Sequence, residues 1–212
     1  MTIDEVLAAG APPIMAILRG VRPDEVVGIG RALVDAGVRL IEVPFNSPEP
    51  EKSVAALAET IGGEAAIGGG TILTVEMADR LAQAGGRFMV SPNSDPAVIA
   101  HALEIGLEAL PGFLTPTEAF AATGAGARQL KLFPGSVLGA AYVSSLRDVL
   151  PADVRLWAVG GVGVENLAEF RQRGIHGIGV GGALYRPGDD AATVGARAVK
   201  LIVGWNASEG RS

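Results

Sequence analysis

Leu40-Ile41-Glu42-Val43-Pro44 and Gln129-Leu130-Lys131-Leu132-Phe133 are two short apolar runs, and each carries one charge at its centre. Successive side chains of a β-strand point to opposite faces. Ile41 and Val43 therefore share one face while Glu42 takes the other, and Leu130 and Leu132 stand opposite Lys131 in the same way. Runs this short and apolar read as strands covered on both sides, the environment of a parallel sheet under helices. Six more such runs occur, at residues 14–18, 65–70, 87–91, 107–111, 154–159 and 175–181. Amphipathic segments separate the eight at nearly even spacing. Residues 24–36, for example, place Val26, Val27, Ile29, Ala32, Leu33 and Val34 on an apolar helical face.

Helix ends are marked as well. Thr115-Pro116-Thr117-Glu118 has the form of a helix start with proline at the first helical position, and Gly37, Gly85, Gly106 and Gly174 stand where C-terminal caps belong. Eight strand–helix units either close into a barrel or wind into an open sheet. The count of eight, the even spacing and the lack of a glycine fingerprint after the first strand favour a (β/α)8 TIM barrel. It is expected as a single domain over residues 1–212, with a short N-terminal helix over residues 2–9 covering the barrel floor. No side-chain motif repeats from unit to unit, which argues against a solenoid.

Composition narrows the function. The chain is 49% apolar and only 19% charged, so it can bury a sizeable core. Its formal net charge is −6 with no basic block, which excludes a nucleic-acid partner. No apolar run approaches the roughly 18 residues of a membrane span, and Met1-Thr2-Ile3-Asp4-Glu5 is acidic rather than a basic leader. A cytoplasmic location is expected. There is no cysteine, hence no disulfide or thiolate site, and no His, Asp or Glu cluster has ligand spacing. Neither a metal nor a cofactor is called for. His101 and His176 fall in a helix and at a strand start, away from the active face.

Barrel enzymes carry their active sites at the carboxyl ends of the strands. Both Glu42 and Lys131 fall there, facing the interior. A salt bridge is the plain structural reading of such a pair. Its rival is chemical: burial lowers the pKa of a lysine, leaving a fraction as the neutral amine that attacks a ketone. A glutamate within reach can then shuttle the protons. Only three of the seventeen basic residues are lysines, and Lys52 and Lys200 lie in helical segments. Gly160-Gly161 and Gly181-Gly182 end the seventh and eighth runs, where barrels bind phosphate on backbone N–H groups. Arg19 ends the first run beside the eighth and could grip an anion bidentately. Thr71, after three glycines, offers a hydroxyl where the backbone comes close.

At these residues the chain resembles the aldolases for 2-keto-3-deoxy-6-phosphogluconate and 2-keto-3-deoxy-6-phosphogalactonate. The resemblance runs over residues 13–205. It rests on Ile17-Leu18-Arg19-Gly20, Ile41-Glu42-Val43-Pro44-Phe45-Asn46-Ser47-Pro48, Gly68-Gly69-Gly70-Thr71, Ser91-Pro92-Asn93, Leu130-Lys131-Leu132-Phe133-Pro134 and Ala158-Val159-Gly160-Gly161-Val162. It implies a metal-independent class I aldolase, a homotrimer that yields pyruvate and D-glyceraldehyde 3-phosphate. Lys131 would form the Schiff base and Glu42 would act as general acid and base. Arg19, Thr71 and Pro92 would contact the pyruvyl part, and Gly160, Gly161, Gly181 and Gly182 would hold phosphate. Asn46 and Val159 resemble the galactonate branch, because the gluconate branch typically has Arg and Thr at the corresponding places. The two substrates differ at the C4 hydroxyl, to which valine cannot hydrogen-bond. Gly182 departs from the serine often found there, so phosphate would lean on backbone amides. Two alternatives stand: an aldolase that prefers or also accepts the gluconate epimer, and a phosphate-binding or isomerising barrel in which Glu42 and Lys131 form only a buried salt bridge.

Overall fold

In a computed structural model, which describes residues 1–208, the chain is a closed parallel barrel ringed by helices. Its strands are β1 (Ile14–Ile17), β2 (Leu40–Pro44), β3 (Ala66–Gly70), β4 (Phe88–Val90), β5 (Glu108–Leu110), β6 (Gly112–Phe113), β7 (Gln129–Leu132), β8 (Arg155–Val159) and β9 (Gly177–Val180). Every pairing is parallel, in the order β5-β4-β3-β2-β1-β9-β8-β7-β6. The helices are α1 (Ile3–Ala8), α2 (Val26–Asp35), α3 (Pro50–Ile61), α4 (Val75–Gln83), α5 (Pro96–Glu104), α6 (Pro116–Gly124), α7 (Gly135–Arg147), α8 (Leu167–Gln172) and α9 (Ala191–Ala207). None of the described helices is long and apolar enough to cross a membrane.

Two expectations need adjusting. The fifth run, residues 107–111, is not one strand. It continues to Phe113 and splits at Pro111, which has no N–H to give to a ladder. Leu110 O accepts from Ser91 N on one side, and Pro111 O accepts from Lys131 N at 2.9 Å on the other, so β5 and β6 together make one stave that closes the barrel. The second adjustment is at α2, which begins at Val26 rather than at residue 24. Asp24 and Glu25 instead hold Arg22 in the preceding turn, with Arg22 Nε 3.0 Å from Asp24. The marked helix ends fall as read. Thr115 caps α6 in a capping box, and Gly37, Gly85, Gly106 and Gly174 all have positive φ just past their helices.

Alternation sorts the apolar residues into two layers. One face of each strand packs against the helices in a large outer core. The other face fills the barrel: Met15, Leu40, Ala66, Phe88, Val90, Leu110 and Trp157 cluster there with Ile3 and Val6 of α1. Glycines make room for the two large rings. A Cβ on Gly68 would lie 2.4 Å from the Phe88 ring, and one on Gly177 would lie 2.4 Å from Trp157.

The floor is tied by polar contacts. Thr2 caps α1, and Ile3 N and Asp4 N donate to the Glu108 carboxylate. Gln129 Nε2 donates to Asp4 at 3.0 Å, while Trp157 Nε1 donates to Gln129 Oε1 at 2.7 Å. Gln129 thus satisfies an indole N–H that no water reaches. Gln129→Leu is expected to destabilise the fold by about 1–3 kcal/mol, the cost of an orphaned buried donor. Adding Trp157→Phe removes the orphan and should restore part of the loss. Urea unfolding of the single and double variants measures both.

Candidate active site

Glu42 and Lys131 both face the interior one layer above the aromatic floor. Glu42 shares its side of β2 with Leu40, and Lys131 shares its side of β7 with Gln129. Their relative exposures are 1% and 5%, so the interior could not hold both charged at low cost without compensation. Burial raises the Glu42 pKa, against the pull of Lys131 and then of Arg19. Burial likewise lowers the Lys131 pKa; Glu42 opposes that shift and Arg19 adds to it. Glu42 Oε2 is buried with no hydrogen-bond partner among the described residues. Glu42 and Lys131 interact through space, with no hydrogen bond or close ion pair between them.

The surroundings hold this arrangement. Gly70 lies under Glu42 so closely that a Cβ there would sit 1.6 Å from Oε1. Only glycine fits. Lys131 Nζ stands 4.7 Å from the centre of the Phe133 ring, a cation–π contact that favours the ammonium form. Phe133 was not given a role beyond its motif. It lies in the turn just past β7, and its spacing of two residues from Lys131 is the signal in the sequence.

The strand ends bring the remaining sequence-identified residues to the same mouth of the barrel. Thr71 has φ +57°, a left-handed conformation that a β-branched residue adopts at a cost of about 1–3 kcal/mol. Pro92 follows β4, and its backbone packs on Gly112 so tightly that a Cβ there would lie 2.5 Å away. Val159 ends β8 facing inward. A Cβ on Gly179 would meet it at 2.8 Å and Ile17 Cδ1 at 3.3 Å, so Val159 and Ile17 form an apolar wall with glycine between them. Ile17 pairs in register with Glu42, a placement the sequence pattern did not single out.

Gly160 and Gly161 have φ +89° and +73°, a backbone that glycine adopts without steric cost and that turns the chain sharply after β8. Ser136, at the start of α7, lies against them: its N donates to Gly160 O at 3.0 Å, and a Cβ on Gly161 would be 2.4 Å from its Oγ. Ser136 was also missed in the sequence, because the contact joins two loops distant in the chain. Gly181 O accepts from Tyr185 N, and Gly182 O accepts from Arg186 Nε at 2.9 Å, which forms a tight turn after β9. Arg19 does not pair with Asp24 or Glu25, which Arg22 engages. Arg19 Nη1 instead donates to Asn46 Oδ1 at 2.7 Å.

His101 pairs with Asp79 on the outer helices, and His176 Nδ1 accepts from Leu156 N near the floor. Among the described residues, no group of three or more His, Asp or Glu side chains converges. A buried amine with a lowered pKa beside a buried carboxyl group with a raised one is the kind of pair that imine chemistry on a ketone uses. The amine's titration can be read directly by 13C NMR after reductive dimethylation of the lysines. The Lys131 signal should titrate below the ordinary lysine range. Glu42→Gln should move it lower still, because the carboxylate that favours the ammonium form is gone. An upward move would contradict this electrostatic picture.

Comparison with known proteins agrees with the geometry. Residues 3–194 match the family model described as "Aldolase: KDPG and KHG aldolase". The chain is 45% identical over 198 residues to a "Probable 2-dehydro-3-deoxy-6-phosphogalactonate aldolase" of Rhizobium meliloti (strain 1021), covering 93% of each. It is 43% identical over 190 residues to "2-dehydro-3-deoxy-6-phosphogalactonate aldolase" of Escherichia coli (strain K12), covering 90% of this chain and 93% of that one. The solved structure described as "Native KDPGal structure" superposes with a TM-score of 0.91 at 41% identity, covering 92% of this chain and 95% of the other. The chain belongs to the KDPG and KHG aldolase family and is a carbon–carbon lyase.

Proposed function

We propose that this aldolase works through a Schiff base on Lys131 and cleaves 2-dehydro-3-deoxy-6-phospho-D-galactonate to pyruvate and D-glyceraldehyde 3-phosphate. The observation that carries the reading is the pair Lys131 and Glu42, buried together at the functional end of the barrel without a bond between them. A purely structural pair would gain by closing into a hydrogen-bonded salt bridge, since an unpaired buried carboxylate oxygen is costly. Here Glu42 Oε2 is buried and has no such partner among the described residues.

The steps follow from the two side chains. Neutral Lys131 attacks the C2 ketone; the C–N bond forms and the oxygen takes a proton. Glu42 in its acid form protonates the departing hydroxyl, and water leaves the iminium. The Glu42 carboxylate then takes the proton of the C4 hydroxyl. The C3–C4 bond breaks, its electrons flow to the iminium to give an enamine, and the aldehyde departs. Glu42 returns its proton to C3, and water releases pyruvate and Lys131. A carboxyl group held above its usual pKa can serve both as donor and as acceptor near neutral pH. Arg19, Thr71 and Pro92 hold the pyruvyl end. Gly160, Gly161, Gly181 and Gly182 hold the phosphate through their N–H groups, with the Ser136 hydroxyl beside them. The relatives named for the galactonate substrate, together with the apolar wall of Val159 and Ile17, favour that epimer. A homotrimer in the cytoplasm completes the reading, a location that suits a chain without cysteine; light scattering measures the oligomer.

Borohydride trapping with pyruvate tests the mechanism. It should fix pyruvate to the wild type on Lys131, whereas Lys131→Ala should lose both the adduct and cleavage while keeping its fold by circular dichroism. Near-normal turnover by Lys131→Ala would sink the Schiff base. Glu42→Gln should still bind pyruvate but lose roughly 10²–10⁴-fold in rate, the usual worth of general acid–base catalysis. Undiminished exchange of pyruvate α-protons in heavy water by that variant would rule Glu42 out as the base. For the epimers, kcat/KM should be higher with the galactonate substrate. Val159→Thr should shift the ratio toward the gluconate epimer, by no more than about 10²-fold. A wild type that prefers the gluconate epimer would refute the substrate assignment.

A further inference from the structure

Arg19 stands at the open mouth of the barrel, where a long, hydrated side chain has many conformers and little to hold it. Its position is nevertheless defined, by Asn46, whose Oδ1 accepts from Nη1 at 2.7 Å. The loop that carries Asn46 is rigid. Ser47 N donates to Pro44 O at 2.9 Å, Pro48 and Pro50 fix the chain on either side of Glu49, and Glu49 has φ +43°. The two loops are also latched through a buried serine: Gly20 N donates to Ser47 Oγ at 2.9 Å, one residue along from the Arg19–Asn46 contact. From the opposite side Pro187 presses on Gly20, where an added Cβ would lie 2.8 Å from its Cγ. The loop bearing Arg19 is thus clamped between the loops that follow β2 and β9.

We propose that Asn46 is a positioning residue: it holds the Arg19 guanidinium ready for the carboxylate of the substrate, and it does not read the C4 hydroxyl itself. The inference rests on the Schiff-base reading above, with Arg19 at the pyruvyl end. Guanidinium has five N–H donors in a fixed fork. Asn46 occupies one, and the rest remain free to hold a carboxylate bidentately. A neutral amide suits the task because it fixes the fork without cancelling its charge. An aspartate would give the same geometry and neutralise the cation. Since the carboxylate belongs to the pyruvyl half common to both epimers, a residue acting through Arg19 affects both alike.

The test measures KM and kcat for α-proton exchange of pyruvate in heavy water, together with cleavage of both epimeric substrates. Asn46→Ala should raise KM for pyruvate roughly 10-fold, the low end for a hydrogen bond to a charged group, with kcat little changed. The ratio of kcat/KM between epimers should stay as in wild type. In an Arg19→Ala background Asn46→Ala should add nothing, because its effect passes through the missing guanidinium. Asn46→Asp should also raise KM, and should recover on acidification as the carboxyl becomes neutral. An unchanged pyruvate KM with an altered epimer ratio would overturn the positioning role and make Asn46 a reader of C4. An additive loss in the Arg19→Ala background would overturn it as well. A wild type that exchanges no pyruvate protons would instead overturn the Schiff-base reading, and this inference with it.

Discussion

An amine and a carboxylate buried in one apolar interior, kept near each other and kept from bonding, impose the constraint on which the rest of this structure depends. Left to themselves the two charges would either neutralise or close into an ion pair. The barrel prevents closure by placing them on different strands, with Glu42 seated over Gly70 and Lys131 under the Phe133 ring. Each neighbour is small or apolar, so burial dominates both titrations and pushes them toward each other. A smaller gap between the two makes it easier for each to exchange a proton with a bound group. The tightly packed floor below, with Trp157 and Phe88 set against glycines, leaves the pair only the mouth of the barrel to face.

Regularity in the walls contrasts with strain at the rim. Thr71, Glu49, Gly160 and Gly161 all take left-handed conformations, and three of these four follow directly on a strand end or its neighbour. Glycine adopts such backbone freely, but at Thr71 and Glu49 it persists only where the surroundings over-determine it. Here the surroundings are the neighbouring loops: Ser136 against Gly160, Ser47 against Gly20, Pro187 over Gly20. Loop supports loop around the rim, while the parallel ladders and the outer core supply the stability on which that arrangement draws. A rigid rim is what a small anionic substrate needs, since donors already in place cost little to order when it binds.

How far the sequence could be read depends on which kind of information each feature carries. Face is local. The alternation around Glu42 and Lys131 put both inside the barrel, and the same parity accounts for Val159, for Gln129 and for the two core layers. Ends are local too: Thr115 with Glu118 and the capping glycines declared the helix termini, because cap chemistry acts within a turn. Even spacing of eight apolar runs then left the closed barrel as the favoured solution.

Contacts across the barrel are not local. The split of the fifth stave at Pro111 depends on which neighbour each carbonyl meets once the sheet closes, a matter of stagger between distant strands. Whether Glu42 and Lys131 bond depends on strand tilt and rotamer, which parity leaves open. Arg19 could have turned to Asp24 or Glu25 nearby. It turns to Asn46, 27 residues away, because Arg22 already engages both acids and the β2 loop is brought alongside. Ser136 meets Gly161 only because the strands β7 and β8 are neighbours. The residues and the faces they occupy were therefore determined by sequence alone, through the period of the strand and the chemistry of the cap. The distances that turn those residues into a site were decided by the tertiary structure, because only closure of the barrel sets the separation between side chains on different staves.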